Sequence, residues 1–372
     1  SGARTFEITT LRKDVETDGR HAVVTFTDDW KEDAQRRDFT MNSLLADTKG
    51  NIFDPLGTGL ADLDVRRVRF IGDPSARIAE DTLRILRFFR FHAQIGQGAP
   101  CAEALQACSA AAPKIVTLSR ERITQEFLKL LNVPDPSETL ALMQANHVLS
   151  TVLPTDYSAD LFKALCVLQN EMRLHSVSAR LFVLLGLPPP NPPPHAGEGS
   201  EDKLCDRRAL AVRAEDVTAA LHALETSLVL SNAMKKEIIL IGEALERYES
   251  GLIKSDKELI YRYPRIVAGQ AFLLSYALNR HCERPTGEKQ SILKNGLPRR
   301  GVASPRNDGL EKQTNLLKTW LPPQFPLNGQ DVIDAGIPPG PEVGRILAEI
   351  EQWWIDRDFK PDRAGCLKRL RL

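Results

Sequence analysis

The six cysteines of this chain (Cys101, Cys108, Cys166, Cys205, Cys282 and Cys366) form no C-x-x-C pair. Scattered through 372 residues, they argue against a disulfide framework and against a thiolate zinc site. The seven histidines include no H-E-x-x-H, which removes the support for a histidine-based metal hydrolase. No apolar run approaches the roughly 20 residues that a membrane span requires. Ser1-Gly2-Ala3-Arg4 has the character of neither a signal peptide nor a transit peptide. Together with reduced cysteines, these features make the cytoplasm the expected compartment. An excess of positive charge is also lacking, since Lys and Arg total 49 and so do Asp and Glu. That balance argues against gripping nucleic acid over the whole surface, but it leaves room for a local basic face.

What is present begins with strand-like sequence. In Thr5 to Leu11 apolar and polar residues alternate, the period of a half-buried strand. Glu16 to Arg20 reads as a turn around Asp18-Gly19, and His21 to Thr27 as the returning strand. Phe6 and Ile8 then point one way and Glu7 the other. The strand pattern starts with no lead-in, as in a chain cut into mid-domain. From about Pro74 the periodicity is helical: Ala76–Ala93, Arg120–Leu131, Glu138–Leu149, Ser158–Met172, Val177–Leu185, Ala214–Leu228 and Ala233–Glu249. Two stretches interrupt it, and both read as insertions. Leu187–Ser200 holds two proline triplets that favour an extended linker. His281–Lys312 is rich in Gly, Pro and Arg, and a tolerated loop is preferred there over an RNA-binding arm.

The helix expected over Ala76–Ala93 is the most informative. On a wheel of about 100° per residue, Ile78, Thr82, Ile85, Leu86, Phe89 and Ala93 form the buried stripe. Arg77, Glu80, Asp81, Arg84 and Arg87 gather on the far side, with Asp81 and Arg84 placed as i, i+3 neighbours. A solvated salt-bridge face would look the same. However, a carboxylate beside a guanidinium also offers acceptors and donors to the edge of a nucleobase, and further arginines could hold a triphosphate.

The neighbouring segments favour the second reading. They are Arg36-Arg37-Asp38-Phe39-Thr40-Met41-Asn42, Asp54-Pro55-Leu56-Gly57-Thr58-Gly59, Glu80-Asp81-Thr82-Leu83-Arg84, and Ser119-Arg120-Glu121-Arg122-Ile123. In this order they resemble the successive motifs of class II CCA-adding tRNA nucleotidyltransferases and bacterial poly(A) polymerases. The likeness runs from about Thr5 to Leu131 and resumes at Gly329–Phe359, with Gly336-Ile337-Pro338-Pro339-Gly340-Pro341 and Trp353-Trp354. It implies an α+β fold: an incomplete nucleotidyltransferase β-sheet head followed by a long all-α neck, body and tail. The expected divisions are residues 1–72 (head), 73–132 (neck), 133–250 (body, with insertion 187–200) and 251–372 (tail, with insertion 281–312).

By the same resemblance, Asp81 and Arg84 would select CTP and then ATP, while Arg37, Arg87 and Arg90 would contact the incoming nucleotide. Ser119 and Arg122 would open the helix joining neck to head, although an ordinary capped helix would suffice there. The tRNA acceptor end would be the partner, and no membrane is implied. Nucleotidyl transfer in this family uses Mg²⁺ on a D-x-D pair. That pair lies upstream of the strand beginning at Thr5, so this polypeptide alone is expected to be inactive. Asp62-Leu63-Asp64 has the spelling but follows Gly59-Leu60-Ala61 and is not expected to replace it. Glu7 matches the family's third active-site carboxylate and would supply part of a metal site. Poly(A) addition, partial CCA addition, and RNA binding without chemistry (including one half of a split enzyme) stand as alternatives.

Overall fold

The computed structural model describes residues 9–17, 22–153, 156–186, 214–282 and 308–370. Contacts divide the chain into two compact units. The first holds the described residues up to 186 together with 214–239, and the second those from 240 onward.

The first unit opens with an antiparallel hairpin of β1 (Arg12–Thr17) and β2 (Ala22–Phe26), paired from Arg12↔Phe26 to Thr17↔Ala22 with an irregularity between Asp14 and Glu16. Helix α1 (Trp30–Gln35) follows, capped by the Asp29 carboxylate on the Lys31 amide. A 3₁₀ turn at Thr40–Ser43 leads to the two-residue strands β3 (Leu45–Ala46) and β4 (Ile52–Phe53). Helix α2 spans Gly59–Asp64, and a Cβ added at Gly59 would lie 2.5 Å from the Thr40 carbonyl oxygen. Only glycine permits that approach. Helix α3 (Pro74–Glu80) starts with proline in its first turn and with Asp73 accepting from the Ala76 amide. Next come α4 (Arg84–Ile95), α5 (Ala102–Ala111) and α6 (Arg120–Leu131). The unit continues with α7 (Ser137–Ala145), α8 (Ala159–Met172), α9 (Val177–Leu184), α10 (Ala214–Leu224) and the first half of α11 (Asn232–Glu249).

Aromatic rings fill the core beneath the arginine-bearing segments. Phe39 packs on Phe70, Phe88 and Phe91, and Phe70 stacks on Phe88 at 5.6 Å. Phe39 is fully buried and its backbone bridges to Phe70, so the 36–42 segment is fastened to the chain just before α3.

The second unit contains the rest of α11, then α12 (Asp256–Arg262), α13 (Arg265–Cys282), α14 (Asp308–Thr319), α15 (Gly329–Asp334), α16 (Pro341–Ile355) and α17 (Arg363–Leu370). Trp354 anchors its core against Tyr261, Phe325 and Phe359 and donates its indole N–H to the Pro361 carbonyl at 2.8 Å. Trp353 lies under the Arg357 guanidinium. In the described residues no helix is long and apolar enough to cross a membrane.

The α+β fold class holds, with two small two-stranded sheets near the start of the chain and helices after them. Several local expectations need correction. The first strand lies at Arg12–Thr17, whereas Thr9 to Leu11 are not strand and residues 1–8 lie outside the described set. The hairpin closes on the returning strand, so pairing and not alternation fixes where it begins. The helix expected over Ala76–Ala93 is two helices. Asp81 adopts extended backbone (φ −150°, ψ 105°), its carboxylate accepts from the Leu83 amide, and its carbonyl accepts from the Arg84 amide. A short acidic side chain competes for nearby N–H groups, so α3 ends at Asp81 and α4 begins afresh at Arg84. Arg77, placed on the polar face of the wheel, is buried, because the carbonyl oxygens of Arg36 and Arg37 receive its guanidinium. Helix α7 stops at Ala145, just before His147 in left-handed backbone. The second insertion is shorter than its composition suggests, because His281 and Cys282 end α13 and Asp308 to Lys312 begin α14, where Leu310 is buried. Residues 187–200 lie outside the described set, as do 283–307.

Candidate nucleotide-binding site

Two adjacent arginines at the end of α1 start the site. Asp33 sits three and four residues before them, the spacing at which helical side chains meet. Its buried carboxylate accepts from Arg36 Nη2 at 2.8 Å and from Arg37 Nε and Nη2 at 3.1 and 3.0 Å, and also from the Arg12 amide. Burial pushes this carboxyl up, but hydrogen bonds from Arg36, the Arg12 backbone and Arg37 outweigh it and hold the pKa below the usual carboxylate range. Arg37 also donates to the Asn42 carbonyl at 2.9 Å.

The α3–α4 junction supplies the facing groups. Arg77 donates to the carbonyl oxygens of Arg36 and Arg37 and to the Glu80 carboxylate. Arg84 donates to Glu80, to the Arg77 carbonyl at 2.8 Å and to the Arg36 carbonyl at 3.4 Å. One turn along α4, Arg87 donates to Asp38, whose other carboxylate oxygen accepts from Asn42 and the Phe39 amide. Arg36, Arg37, Arg77, Arg84 and Arg87 thus share three carboxylates, those of Asp33, Glu80 and Asp38. Two positive charges are left over, the electrostatics that an anionic polyphosphate requires.

Asp81 and Arg84 share this junction, but their hydrogen bonds run to different partners. Asp81 accepts from Arg122 of α6 at 2.8 Å, an ion pair that is substantially exposed on both sides. Arg90 turns the other way: it is buried, pairs with Glu126 of α6 at 2.6 Å and covers the Phe91 ring at 3.9 Å. Glu126 carries Lys129 as well. Despite the upward push of burial, the hydrogen bonds of Lys129 and Arg90 lower its pKa. Ser119 occupies the N-terminal cap of α6, yet its hydroxyl makes no cap bond. Its carbonyl accepts from the Arg122 and Ile123 amides instead.

Glu7 lies outside the described residues. In the described residues no three His, Cys, Asp or Glu side chains gather as a metal site. Asp62 of the D-x-D spelling is buried and committed to the Thr40 hydroxyl at 2.7 Å and the Arg69 guanidinium at 2.8 Å. It serves as a brace between α2 and the 36–42 segment. Cys108 and Cys166 are free, and burial pushes both thiols up to about 12, so neither is a nucleophile at neutral pH. Sequence reasoning missed Asp33 and Glu126 as charge partners. Asp33 was signalled by its i, i+3 and i, i+4 spacing to the arginine pair, whereas Glu126 needed the tertiary contact of α4 with α6.

The chain is similar to known proteins. Residues 1–69 match the family described as Poly A polymerase head domain, and residues 102–155 match the probable RNA and SrmB-binding site of polymerase A. The class these matches point to is a polymerase-type nucleotidyltransferase head followed by a segment similar to an RNA-binding site of polymerase A. The mitochondrial CCA tRNA nucleotidyltransferase 1 of Danio rerio is 31% identical over 370 residues, covering 98% of this chain and 72% of that protein. The chain belongs to the CCA-adding tRNA nucleotidyltransferase family. The CCA-adding enzyme of Geobacillus thermodenitrificans (strain NG80-2) is 41% identical over 151 residues, 40% of this chain and 37% of that one. Among solved structures, the Bacillus stearothermophilus CCA-adding enzyme in complex with CTP superposes with a TM-score of 0.61 at 23% identity, covering 97% of this chain and 77% of that one. This likeness concerns the fold.

Proposed function

We propose that this protein is a tRNA nucleotidyltransferase that adds or repairs the 3′-terminal CCA using CTP and ATP, with the tRNA acceptor end as its partner. The supporting observation is the cluster of five arginines on three carboxylates at the α3–α4 junction, in a chain 31% identical to a CCA tRNA nucleotidyltransferase. Head (1–72), neck (73–132), body (133–250) and tail (251–372) remain our divisions of the chain.

In this reading Asp81 accepts from the exocyclic amine of cytosine or adenine, and Arg84 donates to the neighbouring ring acceptor. Both side chains now hold protein partners, Arg122 and Glu80, which a base would replace. Arg37 and Arg87 lie partly exposed, where they could meet the nucleotide. Arg90, buried on Glu126, would act by holding α4 in place rather than by touching the substrate. Mg²⁺ belongs to this chemistry, and the described residues do not assemble a site for it. A cytoplasmic location is part of the same reading and is supported by the free, buried thiols.

The experiment is product length. Joined to a segment that supplies the D-x-D pair, the protein offered CTP, ATP and a tRNA lacking its terminus should add two C and one A and then stop. Long A tracts would identify a poly(A) polymerase, and tight binding without extension would identify an RNA-binding protein.

A further inference from the structure

The segment carrying Arg36 and Arg37 is gripped from two sides, by Asp33 and by Arg77. From α1, the Asp33 carboxylate holds both side chains and fixes the direction of the Arg37 guanidinium through two of its nitrogens. From α3, Arg77 holds both backbone carbonyls, with Nη2 2.6 Å from the Arg36 oxygen and also bonded to that of Arg37. Arg77 is itself buried and secured by Glu80 through Nη1 at 2.8 and 2.6 Å.

A guanidinium fork suits this task because it can satisfy two carbonyls with one nitrogen and a carboxylate with another. The Arg37 side chain remains 36% exposed, while Asp33 beneath it is 2% exposed. The exposed arginine is therefore mounted on a buried support.

We infer that Asp33 and Arg77 are positioning residues for nucleotide binding, acting through Arg37: Asp33 aims its guanidinium and Arg77 sets its backbone. The inference rests on the assignment of Arg37 to the incoming nucleotide. It places nucleotide affinity partly under the control of a buried arginine on a different helix.

The test is a double-mutant cycle on the full chain, read as CTP affinity by calorimetry, with no turnover required. Arg37→Ala should weaken CTP binding by about tenfold, a typical loss for one charge-assisted contact. Arg77→Met should weaken it by a similar factor, with affinity for tRNA lacking its terminus unchanged. Because Arg77 acts through Arg37, the double variant should be no weaker than Arg37→Ala alone. Arg77→Lys, with one ammonium in place of a fork, should fall between Arg77→Met and the parent, and it takes the place of Arg77→Met in the cycle if that variant does not fold. Losses that add in the double variant, or a full-strength Arg77→Met, would overturn the inference while leaving Arg37 as a nucleotide ligand. An unchanged Arg37→Ala would remove the parent assignment as well.

Discussion

The Asp81 carboxylate accepts a hydrogen bond from the Arg122 guanidinium at 2.8 Å, which joins the turn between α3 and α4 to the first turn of α6. About half of the Arg122 side chain and a third of that of Asp81 remain exposed. Water therefore competes for both groups, and exposed pairs of this kind contribute no more than about 1 kcal/mol. Arg122→Ala should accordingly shift the urea midpoint only slightly and leave the slope of the unfolding curve unchanged.

Arg84→Ala should abolish discrimination between CTP and ATP, measured as the ratio of their affinities in competition binding. A ratio that stays at the parent value would place the selecting group elsewhere. Because Arg84 also holds Glu80, the variant should be compared with Glu80→Gln, which loosens Arg84 without deleting it.

Glu126→Gln should destabilise the protein by roughly 3–5 kcal/mol at neutral pH, because it leaves the buried Arg90 guanidinium without its anion. The sign of the pH dependence follows from the lowered pKa. The Glu126 contribution is complete above the ordinary glutamate value of 4.5 and is lost as pH falls through the lower, folded-state value. Denaturation curves of parent and variant should therefore converge in acid; a gap that widens there would refute the pair's role.

Gly59→Ala should cost about 1–3 kcal/mol, since the added methyl would meet the Thr40 carbonyl oxygen and the Leu44 side chain. Thermal melts should show the loss. Gly57→Ala should also destabilise, but through its positive φ of 69°, since nothing lies within 4 Å of an added Cβ there.

Removing residues 283–307 should leave α13 and α14 complete and change tRNA affinity by less than about tenfold, or ~1.4 kcal/mol. Filter binding with tRNA lacking its terminus would measure it. A larger loss would assign this arginine-bearing insertion to RNA binding.

Much of the helical architecture was legible. Helix α6 spans the same residues that periodicity gave, and α8, α9 and α11 differ from expectation by one residue at an end. Periodicity failed where a side chain competes with the backbone. Asp81 caps the Leu83 amide, so a pattern that continues smoothly in sequence is broken in space. The arginines were readable as a group, but which of them face solvent was not. Arg77 and Arg90 are buried because Arg36 and Arg37 carbonyls and Glu126 receive them, partners 36 to 41 residues away in the chain. A helical wheel contains no such information.

The imbalance of guanidinium over carboxylate at the α3–α4 junction has a practical consequence. A cluster that its own acidic partners cannot neutralise recruits small anions from solution whenever substrate is absent. Binding constants for CTP or ATP should then depend on whether the buffer supplies chloride, phosphate or sulfate, and each displaced ion will add to the steepness with ionic strength. Comparisons between variants are sound only when the counter-ion is matched as carefully as the pH.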